Sequence, residues 1–392
     1  MVGLRSSSSL LNTGHPKAAR SQRNVLKMNR EMAALHNRET VLYLISTMGA
    51  LSQLQIARLT QLQPSTVSYI IRDLKAHALV REGRSVPAER VGPKETLIEI
   101  NPAAVWSVGL NLDALGNKLC LMNGAGHIIC QRACPPEPKT DNFLQSMPSY
   151  LEAAISQYHL QLDETTVTTV GVPGVVNPRT GYVLNSISLH LENFPLAEQL
   201  ENVLHHPVAV ERNTVCGAYA ERYLGCARDC DHFLYFLARP QVNPDSGARQ
   251  YSLGLAMVMN GEIYRGYSSA AGELHHALLH PFANEQSTFP SGPFVEEKDI
   301  AAALRPLGVG LANLVDLLDP GMLVICSDEQ LLTNASLQIL KQTILESLIP
   351  VPERKIDITR SMLGLDGTLY GAALMGLHRG LKLRLESSTL PE

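Results

Sequence analysis

Residues 271–281 read "AGELHHALLHP", with His275, His276 and His280 within six positions and Glu273 beside them. Imidazole and carboxylate groups at this spacing suit three tasks: binding a metal ion, general acid–base catalysis, or polar contact to a small ligand. Two further pairs carry chemistry-bearing side chains, Cys130/Cys134 and Cys226/Cys230, each spaced C-x-x-x-C. That spacing is wider than the usual structural zinc pattern, and no histidine pair completes either set. The seven cysteines are therefore expected as free thiols in a reducing compartment.

Some element must hold these residues in place, and the charge distribution divides the chain. Residues 1–94 carry 14 Lys and Arg against 5 Asp and Glu, whereas the remaining 298 carry 19 against 32. A basic front end on an acidic body points to a polyanion partner for the first segment alone. With 45% hydrophobic residues, the 392-residue chain can bury a large core. It has no apolar run of about 18 residues and no signal-peptide centre, so a cytoplasmic protein with no membrane partner is expected.

The Ser-rich, basic segment 1–34 is expected to be a partly disordered arm. From Asn37 three apolar stripes at helical spacing follow: Val41, Leu42, Leu44 and Ile45; Leu54, Ile56, Ala57 and Leu59; then Val67, Ile70, Ile71 and Leu74. Ser52 is the expected N-cap of the second helix, and Pro64 suits the first turn of the third. Two short helices joined by "TQLQ" make a helix-turn-helix, and "RSVPAERVGPKETLIEI" supplies a wing. Residues 35–100 are thus predicted to be a winged helix-turn-helix that binds a double-stranded DNA operator. Gln63, Ser65, Thr66, Ser68, Tyr69 and Arg72 would meet the DNA from the third helix, and Arg84, Arg90 and Lys94 from the wing.

After Trp106, strand-like and helix-like segments alternate, which predicts an α/β body with lobes at 101–210 and 211–380 and a C-terminal tail at 381–392. Within it stand "GVPGVVNPRTGYVLNSISLHLENFPLAEQLE", "VAVERNTVCGAYAE", "VMNGEIYRGYSSAAGELHH", "LGVGLANLVDLLDP" and "DGTLYGAAL". In this order and spacing they resemble the ROK family (repressor, open reading frame, kinase) over roughly residues 35–380. The winged module running into "INPAAVWSVGLNL" is similar to its transcriptional-regulator branch.

The resemblance implies a two-lobed, actin-like and sugar-kinase-like (ribonuclease H-like) α/β body with a ligand cleft. It also implies a homodimer or a tetramer, and a sugar or sugar phosphate as effector. Family kinases use the aspartate of an "END" motif as general base; the aligned residue here is Asn213, an amide that accepts no proton at neutral pH. Asn111 stands where the family's phosphate loop begins with aspartate. Tyr251 and Leu253 fall in the glycine-rich phosphate turn and are expected to obstruct it, and "CSDEQ" adds negative charge where phosphates would lie. The family's zinc needs one histidine, aligned with His276, and three cysteines; "NEQSTFPSGPFVEE" contains none. No metal, cofactor or kinase activity is therefore expected. Carry-over of the sugar contacts gives Ser188, Asn213, Glu273, His276 and Glu296. The resulting expectation is a sugar-responsive repressor of carbohydrate metabolism. Its alternatives are a sugar kinase with an added DNA-binding domain and a regulator that no longer responds to sugar.

Overall fold

The computed structural model describes residues 16–87, 94–113, 116–134, 141–158, 162–242, 249–274 and 297–388. The chain divides into two compact units, Met1–Glu99 and Ile100–Glu392.

In the first unit, α1 (Pro16–Met48) is followed by the two-residue strand β1 (Leu51–Ser52), α2 (Gln53–Thr60), α3 (Pro64–Ala76), β2 (Val80–Val86) and β3 (Glu95–Ile100). The strands form a sheet of order β1-β3-β2, with Leu51 opposite Ile98. Helix α1 corrects the expected arm: helix begins at Pro16, twenty-five residues before the apolar stripe at Val41. The stripe marks only the part that meets the core, where Val41, Leu42 and Ile45 are buried. Residues 1–15 lie outside the described residues. Ser52 caps α2 with a full capping box, since its hydroxyl accepts from Gln55 N and the Gln55 side chain accepts from Ser52 N. Ile56 and Ala57 are buried, but Leu54 and Leu59 are exposed, because an eight-residue helix packed on one side has room for a narrow stripe only.

The second unit contains two five-stranded sheets of the same topology. The first has the order β11-β7-β4-β5-β6, from β4 (Trp106–Asn111), β5 (Asn117–Asn123), β6 (Ile128–Cys134), β7 (Val167–Val172) and β11 (Val208–Arg212). The second has the order β14-β13-β12-β15-β16, from β12 (Phe233–Val242), β13 (Arg249–Met259), β14 (Glu262–Tyr264), β15 (Met322–Ser327) and β16 (Asp357–Arg360). In each, the first three strands in sequence pair antiparallel and the last two run parallel to the first. This repeated arrangement is the two-lobed α/β fold that the motifs imply. A small antiparallel sheet of β8 (Val175–Asn177), β9 (Tyr182–Ser186) and β10 (Leu191–Phe194) is attached to the first lobe. Helices α4 (Asp141–Ile155) and α5 (Leu196–Leu204) cover the first sheet's core, and α7 (Glu297–Leu318) and α8 (Asn334–Ser347) cover the second. No helix among the described residues is long and apolar enough to cross a membrane.

The lobes are less contiguous in sequence than expected. The boundary at 210/211 cuts through β11, and the last helix, α9 (Gly367–Ser387), returns to pack on β4, β5 and β7 of the first sheet. Helix also occupies most of the expected tail from 381. Close approach is possible because the facing positions are small: a Cβ at Gly109 would overlap the Leu369 carbonyl, and one at Gly371 would overlap the carbonyl of Cys216 on α6 (Asn213–Tyr223). The α6–α9 pair thus joins the lobes at backbone contact.

Between these two helices lies His378, whose Nδ1 is 2.6 Å from Tyr219 Oη and whose ring meets Tyr223 edge-on. Burial lowers its pKa from 6.5 to about 4. Because the folded-state value is the lower one, the unfolded chain binds more protons between these limits. Stability from this site is present above pH 6.5 and is lost as pH falls from 6.5 to about 4. The loss is on the order of 3 kcal/mol. Thermal unfolding across that window is expected to show this slope, and His378→Gln is expected to flatten it.

Candidate functional site

On α3 the apolar stripe Val67, Ile70, Ile71 and Leu74 is buried, so rotation about the helix axis turns the polar residues outward. Gln61 adopts a left-handed conformation (φ 56°) that ends α2, and Pro64 starts α3 within three residues. Gln63, Ser65, Ser68, Tyr69 and Arg72 are exposed and Thr66 is partly so. The Arg72 guanidinium lies 5.4 Å from the centre of the Tyr69 ring, a cation–π arrangement that aligns both outward. Gln63 occupies the N-cap position but makes no side-chain cap bond, which leaves its amide for an outside partner. Ser68 differs, since its hydroxyl donates to Gln53 Oε1 at 2.7 Å. Gln53, at the start of α2, is thus a participant that the sequence pattern missed. Arg38 on α1 bonds Asp73 at 2.7 Å and fixes α3 from behind. Arg84 and Lys94 are exposed on β2 and just before β3, whereas Arg90 lies outside the described residues.

In the second unit, β4, β7, β11 and β12 present their carboxyl ends to one cleft, the place where parallel strands in α/β folds receive ligands. A cavity of about 370 Å³ opens there. Ser188, Asn213 and Glu273 all line it, together with Asn185, Thr214, Arg239 and Ser252. Three of the five expected effector residues are therefore brought together; His276 and Glu296 lie outside the described residues.

The segment holding Glu273 is fixed by two ion pairs from the end of β11. Arg212, only 2% exposed, donates from Nη1 to Glu273 Oε1 at 3.1 Å and from Nη2 to the Ala271 carbonyl. Glu211 accepts from Arg265 Nε at 2.9 Å and Nη2 at 2.6 Å. Asn213 begins α6 and accepts from Thr214 N at 2.7 Å through Oδ1, so it offers a ligand its amide N–H donors. Glu273 supplies acceptors, and hydroxyl-rich ligands need both kinds of group.

On β13 the expected obstruction does not hold for Tyr251, which is buried with Leu255 and Met257 in the core beneath α7 and donates from Oη to Asp328 at 3.1 Å. Leu253 packs against the same core and also lines the cavity. Ser252 and Gly254 take the opposite face, toward α6, where a Cβ on Gly254 would come 2.7 Å from Thr214 Cγ2. Sequence reasoning missed Arg212 and Arg239. The signal for Arg239 is a lone cation closing the apolar run "FLYFLAR" in the second half of β12.

Among the described residues no group of three or more His, Cys, Asp or Glu side chains is placed to hold a metal ion. Burial pushes Cys134 up to about 12, and burial with the nearby Glu221 carboxylate pushes Cys226 up to about 12.

Comparison with known proteins agrees with this architecture. Residues 109–293 match the ROK family model. The N-acetylglucosamine repressor of Escherichia coli O157:H7 is 25% identical over 246 residues, which are 62% of this chain and 58% of that protein. A solved ROK family transcriptional regulator, described as a homolog of the E. coli MLC protein, superposes with a TM-score of 0.70 at 22% identity, covering 90% of this chain and 99% of its own. A ROK family glucokinase from Streptomyces griseus, in complex with glucose and AMPPNP, superposes with a TM-score of 0.52 at 18% identity, covering 68% of this chain and 98% of its own. The same body thus serves regulators and sugar kinases. Over residues 109–293, just under half of its length, the chain is thus similar to the ROK family.

Proposed function

We propose that this chain is a DNA-binding transcriptional regulator, a repressor acting as a cytoplasmic homodimer, whose ROK body binds a sugar-type effector without phosphorylating it. The observation that carries the proposal is the pairing, in one chain, of the exposed polar face of α3 with a polar cavity centred on an amide, Asn213. An amide and a glutamate can hold a hydroxyl, but the proton of that hydroxyl has no carboxylate at position 213 to receive it. Sugar repressors among the relatives of this chain, and the regulator with the same fold, support the DNA-binding role.

The first unit has the element order of a winged helix-turn-helix. In this proposal α3 enters the major groove, with Gln63, Ser65, Thr66 and Tyr69 near base edges; Ser68, held by Gln53, sets the angle of the two helices. Arg72, Arg84, Arg90 and Lys94 meet phosphates. Effector binding at Ser188, Asn213 and Glu273, with His276 and Glu296 as further contacts, selects one arrangement of the body and so changes the fraction of dimer competent for the operator.

Capture of genomic DNA fragments by the purified full chain tests the DNA-binding role. With a captured fragment, Arg72→Ala is expected to weaken binding to all duplexes about tenfold and to lower the salt dependence, whereas Gln63→Ala is expected to change sequence preference. Unchanged binding in both variants would remove α3 from the interface. ATP-dependent phosphorylation of a sugar by the wild-type chain would instead favour a kinase with an added DNA-binding unit, the role that the shared glucokinase fold leaves open.

A further inference from the structure

A second cavity, of about 400 Å³, is built on the same two segments as the effector cleft. Strand β8 gives Val175 to the cleft and Asn177 to the second cavity. The loop after β14 gives Glu273 to the cleft and Arg265, Ser268 and Ser269 to the second cavity.

The lining of this second cavity is made of hydrogen-bond donors. Asn177 Oδ1 already accepts from the backbone N–H groups of Arg179 (3.0 Å) and Thr180 (3.4 Å), so its amide N–H groups are what it offers a ligand. Arg265 engages Glu211 through Nε and Nη2 and keeps Nη1. Arg179 is exposed, and its guanidinium has no counter-charge among the described residues. No carboxylate lines the cavity. One free guanidinium, the edge of a second and two serine hydroxyls suit an anionic oxygen group. The remaining wall is flat and apolar: Pro178, and Tyr267 with its ring fully exposed. An aromatic ring left wholly in water beside cations is surface that a planar ligand can cover. Gly266 and Ser269 both take positive φ, 72° and 62°, and the left-handed serine holds a backbone conformation that glycine would adopt at lower cost.

We propose that this cavity is a second ligand site, for a small organic anion whose carboxylate or phosphate meets Arg179 and Arg265 and whose flat apolar body lies against Tyr267 and Pro178. The site stands apart from the effector cleft; only its link to that cleft rests on the effector role proposed above. Arg265 and Glu273 belong to one loop, in which Ala271 N donates to the Arg265 carbonyl and Glu273 N to the Ala270 carbonyl, both at 3.1 Å. Adjacent residues of β11 hold its two ends, since Glu211 pairs with Arg265 and Arg212 with Glu273. A ligand that fixes Arg265 therefore steadies the segment that presents Glu273. Occupancy of either site strengthens the other.

Titration of the full-length protein with benzoate and with phenyl phosphate, followed by saturation-transfer NMR of the aryl protons, tests the site without DNA or a sugar. At least one of the two is expected to bind the wild type and to lose about tenfold in affinity on Arg179→Ala and several-fold on Tyr267→Ala. Both side chains are exposed, so both variants are expected to fold. The probe bound more tightly distinguishes a carboxylate ligand from a phosphate one. With the site filled, the Ala271 and Glu273 amides are expected to exchange about threefold or more slowly. Absence of binding by both probes, or binding unchanged in Arg179→Ala or in Tyr267→Ala, would overturn the site. Affinity lost in Asn213→Leu instead would place the probe in the effector cleft and overturn it equally. Unchanged exchange at Ala271 and Glu273 would overturn the link between the sites. Failure of the regulator role would appear separately, as absence of captured DNA.

Discussion

Replacing Gly371 with alanine is expected to destabilise the second unit by about 3–5 kcal/mol and to lower its thermal midpoint by several degrees, a large effect for one methyl group. The methyl would overlap the carbonyl oxygen of Cys216, which belongs to the backbone of α6 and cannot turn aside as a side chain would. One helix must move, and both are committed elsewhere. Helix α9 lies against the first sheet, where Gly376 and Gly380 approach the carbonyls of Val167 and Thr165 at distances that leave no room for a Cβ, while α6 carries Asn213 and Thr214 into the cleft. Calorimetry of the variant checks the stability loss. A midpoint within about one degree of the wild type would show that α6 and α9 are not in backbone contact.

Arg212→Lys is expected to release the segment that carries Glu273 while leaving global stability nearly unchanged. Lysine keeps the charge but loses the planar fork that reaches the Glu273 carboxylate and the Ala271 carbonyl together. Glu273 is itself about half exposed, so water can solvate it once it is freed, and little folding energy is at stake. Hydrogen exchange separates the two effects. The amides of Leu255, Ala271 and Glu273, which bond Gly272, Arg265 and Ala270, are expected to exchange about ten- to a hundredfold faster in the variant. Amides in the centre of β12 are expected to keep their protection. Equal protection at all of these sites would mean that Arg212 does not position the glutamate.

Local chemistry explains which parts of this molecule the sequence discloses. The buried stripe of α3, the Ser52 cap and the Pro64 start are set within a few residues of one another, and their pattern alone specifies them. The length of α1 is not so marked, because the part beyond the core needs no apolar stripe. The packing of α9 on the first sheet is hidden for a different reason: its partner strands lie some 200–260 residues upstream, and only the spacing of Gly367, Gly371, Gly376 and Gly380 hints at a close-packed face.

The cleft shows the same division. Ser188, Asn213 and Glu273 were accessible through family motifs, and the structure brings them to one cavity. Arg212 and Arg239 carry no local signature of function. Each is one cation on a strand, and its role exists only after two distant segments, around Glu273 and Asp113, have folded against it. Strand alternation likewise decides that Ser252 and Gly254, rather than Tyr251 and Leu253, face α6, which a run of alternating residues states only once the register is known. The stretch "AGELHHALLHP" narrows accordingly to a glutamate held by a buried arginine at the mouth of a polar cavity.

The most direct test of the regulator assignment is fluorescence anisotropy of the full-length protein on a DNA fragment it captures, titrated with a panel of neutral and acidic sugars while ATP consumption is followed in parallel. Release of the fragment by at least one sugar, lost in Asn213→Leu and unaccompanied by ATP turnover, is the expected result. Sugar-dependent ATP turnover, or DNA binding that no sugar alters, would contradict it.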